Sequence, residues 1–147
     1  MRLGSLSPII QVNDGNTYYF NHGSFYLIFR YEDSILNNYD AEIEICRQII
    51  CYIKSDNIDT DPDWIFSFNE SIVSDEDYQG LICRKINGKI LFGLSGNLPG
   101  NYSYLEIPIN DIETRNKIAS FYTKLMDMLL YKKDNSLGNT LKRIFFT

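Results

Sequence analysis

Gly80-Leu81-Ile82-Cys83-Arg84-Lys85-Ile86-Asn87-Gly88-Lys89-Ile90-Leu91-Phe92-Gly93-Leu94 is the stretch from which the fold is read. Asn and Gly both tolerate positive φ, so Asn87-Gly88 suits a two-residue turn, and residues 80–86 and 89–94 become the arms of an antiparallel hairpin. A second hairpin signal lies upstream. Residues 8–12 precede Asn13-Asp14-Gly15-Asn16, where Gly15 takes positive φ without steric cost, and Thr17-Tyr18-Tyr19-Phe20 follows. After Asn21-His22-Gly23, residues 24–31 carry the aromatic and β-branched content of a buried strand. Residues 64–68 and 103–109 read as further strands, with a loop at 93–100.

Two segments carry helical periodicity. Ile43, Cys46, Ile49, Ile50 and Ile53 recur at helix spacing across residues 40–53, with Asp40 placed to cap the start and Lys54 at the end. Ile43, Ile45 and the Ile49-Ile50 pair leave a strand open there. Asn110 is in position to cap a second helix and Glu113 stands at the capping-box position. Ile112, Ile118, Tyr122, Leu125, Met126 and Leu129 then form one stripe to about Tyr131. Residues 136–147, with Leu137, Leu141, Ile144 and Phe145, fit either a short helix or a closing strand. Hairpin-connected strands with helices at only two places give an α+β fold, a mostly antiparallel sheet with two main helices packed on one face. No repeat or linker divides the chain, so residues 1–147 read as one domain.

Composition narrows the function classes. The chain has 147 residues, 44% hydrophobic and 22% charged, enough to bury a core without disulfide or metal staples. Cys46, Cys51 and Cys83 are odd in number, lack metal-type spacing and each sit in an apolar run, the pattern of buried reduced thiols. The N-terminus has no apolar h-region and no window approaches the ~18 apolar residues of a membrane span, so a cytoplasmic protein without a membrane partner is expected. Net charge is −5 and unevenly spread: residues 1–114 hold 17 acids and 7 bases, residues 115–147 hold 2 acids and 7 bases. An acidic body argues against nucleic acid as the main ligand, because phosphate binding needs clustered Lys and Arg.

No catalytic constellation emerges. His22 is the sole histidine, which excludes a two-histidine nuclease, and in Asn21-His22-Gly23 it reads as a solvated turn residue without a partner at readable spacing. Gly93-Leu94-Ser95-Gly96-Asn97 puts Asn97 where a nucleophile elbow needs glycine. Neither a dinucleotide fingerprint nor a P-loop is present, and no cofactor is implied. Asp59, Asp61, Asp63 and Glu70 match the first, third, fifth and twelfth positions of a calcium loop. Trp64 replaces the glycine on which that loop's turn depends, Pro62 occupies its fourth position, and residues 65–68 look like strand. No metal site is therefore assigned, and a calcium module at residues 59–70 is the alternative. A small enzyme built from residues distant in sequence, such as Ser95, Tyr102 and a carboxylate, is a further alternative.

A wider feature surrounds that spacing. Between Ser55 and Cys83 lie eight acids, Asp56, Asp59, Asp61, Asp63, Glu70, Asp75, Glu76 and Asp77, and no Lys or Arg. Such a segment either solvates one face or steers and docks a basic protein, with Trp64, Tyr78 and the nearby Tyr102 and Tyr104 as candidate aromatic anchors. The candidate partner-binding set is Asp59, Asp61, Asp63, Trp64, Glu70, Asp75, Glu76, Asp77 and Tyr78.

An acidic α+β domain of this size, rich in Asn, Ile and Tyr and lacking a catalytic set, resembles the immunity proteins of bacterial polymorphic-toxin and contact-dependent growth inhibition systems. The likeness is one of character across the whole chain, carried by no motif, so no residue's role transfers. It implies a non-catalytic cytoplasmic antitoxin that binds a cognate toxin domain, often a basic nuclease, and occludes it.

Overall fold

The computed structural model describes residues 9–11, 15–33, 37–68, 79–96 and 103–146, with side chains left undescribed at 9–11, 79, 95, 96, 103 and 136–146. Its elements are β1 (Ile9–Gln11), β2 (Thr17–His22), β3 (Phe25–Arg30), α1 (Tyr39–Lys54), β4 (Trp64–Phe68), β5 (Gln79–Ile86), β6 (Lys89–Gly96), β7 (Ser103–Pro108) and α2 (Ile112–Phe146). The fold is α+β. The strands divide into two antiparallel sheets, in the orders β1-β2-β3 and β4-β5-β6-β7, where the sequence suggested a single sheet. The sheets approach each other where β3 comes near β6 and β7.

The hairpin that opened the sequence reading forms with Ile86 opposite Lys89. Asn87 (φ 51°) and Gly88 (φ 77°) occupy the left-handed region that this turn requires. β2 and β3 also join through a two-residue turn, Gly23-Ser24, with His22 opposite Phe25, but there only Gly23 (φ 60°) is left-handed. His22 thus ends a strand and is not a turn residue. β6 continues through Gly96, so residues 93–96, expected as loop, are paired with β5 instead.

Period-two alternation buries one face of each sheet: Tyr18 and Phe20 of β2, Leu27 and Phe29 of β3, Leu81 and Cys83 of β5, Ile90 and Phe92 of β6. Both helices join these faces in one hydrophobic cluster. At its centre Phe20, Phe92 and Phe121 meet edge to face, with centroids 5.0 Å (Phe20–Phe92), 5.4 Å (Phe92–Phe121) and 5.9 Å (Phe20–Phe121) apart. Such geometry adds about 0.5–1.5 kcal/mol per pair beyond burial. Among the described residues no helix is long and apolar enough to cross a membrane.

Helix α1 settles residues 40–53 as helix. Its cap is Asn38, whose side chain accepts from Ala41 N at 3.1 Å, so Asp40 lies within the first turn, where its charge favours the helix N-terminus. Cys46 is buried on the core stripe, but Cys51 falls on the opposite side and is exposed, correcting the expectation of three buried thiols. In α2 the capping group is Asp111, not Asn110: its carboxylate accepts from Thr114 N at 3.1 Å and Thr114 Oγ1 at 2.8 Å. That shift leaves Glu113 outside the capping-box position. Ile112 becomes the first helical residue, ahead of the buried stripe, and is 61% exposed. The segment left open between helix and strand continues α2 to Phe146.

Two buried polar arrangements hold the helices. The Arg115 guanidinium enters the core with no carboxylate partner among the described residues and is satisfied by main-chain oxygens alone. Nε and Nη2 donate to Ile53 O (3.0 and 2.7 Å), Nη2 to Ser55 O (2.9 Å) and Nη1 to Ile109 O (3.0 Å). The cation thus sits at the negative end of the α1 dipole and occupies carbonyls that the last helical turn leaves without partners. The second is Tyr31, whose hydroxyl donates to Glu42 Oε2 at 2.6 Å. Burial, then that bond, pushes the Tyr31 phenol well above its ordinary value. Burial also raises the Glu42 carboxyl, and the bond from Tyr31 offsets only part of that rise.

Arg115→Met is expected to cost about 3–5 kcal/mol in urea denaturation, because two buried carbonyls and the half-buried Ser55 O lose their donors; Arg115→Lys, which keeps the charge but not the planar fork, falls in between. An Arg115→Met midpoint equal to wild type would remove the clamp from the fold's energetics. Glu42 generates a pH dependence. Its folded pKa lies above the unfolded value of 4.5, so the folded state binds more protons just above that value. Its contribution to stability is fully present below about pH 4.5 and is lost as pH rises through the raised folded value. Glu42→Gln keeps an acceptor for Tyr31 and is expected to flatten that decline when unfolding midpoints are compared from pH 4 to 8.

Candidate functional site

The acidic segment begins where α1 ends. Ser55 caps the helix, its N–H donating to Tyr52 O at 3.2 Å, and residues 55–63 then turn back to enter β4. This connection is built, not loose. Ile58 is buried within the core, Thr60 N and Asp61 N donate to Asn57 O at 3.0 and 3.1 Å, and Thr60 Oγ1 donates to the same oxygen at 2.9 Å. From the sheet side Lys85, buried on β5, donates its ammonium to the main-chain oxygen of Asp61.

With the apolar side chain of Ile58 inward, the carboxylates face out. Asp56, Asp59 and Asp63 are exposed and Asp61 is half-buried, and none forms an ion pair among the described residues. The structure therefore brings together Asp59, Asp61, Asp63 and Trp64 of the predicted set. Glu70, Asp75, Glu76, Asp77 and Tyr78 lie outside the described residues, as does Tyr102, while Tyr104 lies on β7. The calcium-loop spacing fails in its second half: its sixth to tenth positions are β4, paired residue for residue with β5. No group of three potential metal ligands occurs among the described residues.

Trp64 stands at the junction of loop and strand, in a three-ring cluster that sequence spacing did not reveal. Its centroid is 5.7 Å from Tyr52 of α1 and 5.4 Å from Phe66, and Tyr52 to Phe66 is 5.6 Å. Tyr52 is exposed on the outer side of this cluster while Trp64 and Phe66 are half-buried. The indole Nε1 is buried with no hydrogen-bond partner among the described residues, a desolvation cost of about 1–3 kcal/mol. The stretch thus combines outward carboxylates with a partly open aromatic surface at one edge of a sheet.

Within residues 115–147 four cations are engaged by the body of the chain, while Lys124 is exposed and forms no ion pair among the described residues. Lys132 pairs with Asp33 at 2.8 Å and Lys133 with Asp40 at 2.5 Å. Lys117 donates to His22 Nδ1 (3.0 Å) and Asn21 O (3.2 Å), and Arg115 is spent in the core. Burial alone would raise the Asp33 carboxyl, but hydrogen bonds from Lys132 and Asn16 together with the lysine's charge hold it below the ordinary range. His22, read as partnerless from sequence, is bracketed by α2: Thr114 Oγ1 lies 3.5 Å from its Nε2. Since Thr114 already donates to Asp111, these donors and acceptors fit together with the imidazole proton on Nε2. The arrangement is a strand-to-helix tie, with Thr114 buried and its hydroxyl proton committed.

Ser95, offered with Tyr102 as an alternative enzymatic centre, lies on β6 in register with Gly80. A groove of about 410 Å³ between the start of β2 and α2 is lined by Tyr18, Lys124, Asp127, Met128, Tyr131 and Lys132 among others, and includes neither Ser95 nor any residue of the acidic loop. The chain matches no family model, no curated protein and no solved structure.

Lys85→Met tests what holds the loop. Asp61 O is near enough to solvent to be hydrated, so stability is expected to change by no more than about 1–2 kcal/mol. Hydrogen exchange at the Thr60 and Asp61 amides should accelerate about tenfold, corresponding to about 1.4 kcal/mol of local protection. Unchanged exchange there would show that the loop holds its shape without the lysine.

Proposed function

We propose that the protein is a non-catalytic binding protein that neutralises a cognate toxin domain, of the basic nuclease class, by occluding it with its acidic surface. The observation that carries this reading is the outward set Asp56, Asp59, Asp61 and Asp63, held without ion pairs among the described residues on a braced loop beside Tyr52 and Trp64. Carboxylates placed so meet the lysines and arginines with which a nuclease receives phosphate. Long-range attraction between the two surfaces raises the association rate, and aromatic contacts slow dissociation. Bracing matters because a loop already ordered by Ile58, Asn57 and Lys85 loses little entropy on docking. Whereas catalysis needs a group poised on a substrate, occlusion requires only surface complementarity, which suits a chain whose single histidine is engaged between β2 and α2. The cell compartment on this reading is the cytoplasm, with neither nucleic acid nor membrane as partner.

Co-expressed with a candidate toxin domain, sought by screening neighbouring reading frames, the chain is expected to co-purify with it and restore growth. Replacing Asp59, Asp61 and Asp63 together by Asn should lower the association rate at low ionic strength about tenfold while changing dissociation little. Stopped-flow rates indifferent to both the substitutions and salt would remove the acidic segment from the mechanism.

A further inference from the structure

The four-stranded sheet has two edges, and they are built differently. β7 carries Glu106, paired with Lys89 at 2.9 Å, and Pro108, both features that discourage another strand from pairing. β4, Trp64-Ile65-Phe66-Ser67-Phe68, has no charge, no proline and no glycine along its five residues. Among the described residues it is an edge without the usual protection, and its neighbour in sequence is the acidic loop.

Hydrogen-bond phase identifies which groups this edge offers. The two-residue turn closes on a hydrogen-bonded pair, Ile86 with Lys89, so in β5 the even-numbered residues 82, 84 and 86 direct their main-chain groups to β6. Lys85, Cys83 and Leu81 then direct theirs to β4, where their partners are Trp64, Phe66 and Phe68. Alternation leaves the N–H and C=O of Ile65 and Ser67 pointing away from the sheet, and no hydrogen bond to them occurs among the described residues. A strand laid along this edge would have the Tyr52–Trp64–Phe66 rings beside one of its faces and Ile65, 57% exposed, beside the other.

We infer that β4 is a strand-addition site, whose occupant is an extended, lysine- or arginine-bearing segment of the protein partner. The inference rests on the neutralising role proposed above and specifies its docking mode. Backbone pairing at Ile65 and Ser67 supplies the fixed register, while Asp56, Asp59, Asp61 and Asp63 at the N-terminal end of the strand select a basic segment over a neutral or acidic one. Trp64 is the chain's sole tryptophan and lies on the strand itself, so its emission reports occupancy directly.

The test uses the full chain and a synthetic octapeptide of alternating lysine and valine, capped at both ends. Binding is followed by Trp64 emission and by amide shifts of Ile65 and Ser67. Saturable binding is expected, at least tenfold weaker for the alternating glutamate–valine peptide and for the fully N-methylated lysine–valine peptide, which keeps the charge but cannot pair. Ser67→Pro removes an outward N–H and no sheet bond, so it should fold and lose the peptide equally. Should that variant unfold, the N-methylated peptide still decides. Binding indifferent to N-methylation, absence of binding at millimolar peptide, or concentration-dependent self-association through β4 would each overturn the inference. None of these bears on toxin neutralisation, which the co-expression experiment reads separately.

Discussion

The architecture turns on one buried cation. Arg115 enters the core from the first turns of α2 and gives its planar fork to three main-chain oxygens, Ile53 and Ser55 at the end of α1 and Ile109 just beyond β7. An unpaired buried charge would be prohibitive, yet here charge-assisted hydrogen bonds and the negative end of a helix dipole offset its desolvation. The same bonds hold the end of α1. Because the acidic loop leaves from Ser55, Arg115 also fixes the point from which the candidate binding surface departs.

Other buried polar groups follow the same logic. Lys85 crosses from β5 to the main chain at Asp61, and Tyr31 reaches Glu42 on α1. Lys117 and Thr114 bracket His22 at the end of β2. Each tie joins elements distant in sequence around an aromatic core that alone would be tolerant of small shifts. Hydrophobic burial supplies most of the driving force, and directional bonds select one arrangement of two sheets and two helices.

This division of labour shapes the surface. Arg115, Lys117, Lys132 and Lys133 are drawn to the body, onto carbonyls, His22, Asp33 or Asp40, whereas the carboxylates of residues 56–63 have no ion-pair partner among the described residues. The acidic charge of residues 56–63 therefore stays uncompensated next to a sheet edge whose outward backbone groups have no partner among the described residues. Charge and open hydrogen-bonding capacity coincide in one region, and the proposed binding role rests on that coincidence.

What the sequence determined by itself was whatever is encoded within a few adjacent residues. Asn87-Gly88 set the central turn through its tolerance of positive φ, period-3.6 spacing placed α1 and the first half of α2, and the charge bias of residues 55–83 was plain by inspection. Caps missed by one or two positions, because Asn38 and Asp111 compete with neighbours of equal capping ability. Tertiary structure alone decided the split into two sheets, the exposure of Cys51 and Ile112, the ring cluster around Trp64, and the partners of Arg115, Lys85 and His22. The physical reason is that Arg115 and Lys85 bind main-chain oxygens far along the chain. A carbonyl is the same at every residue, so no pattern of side chains in the sequence can announce which one a buried cation will find.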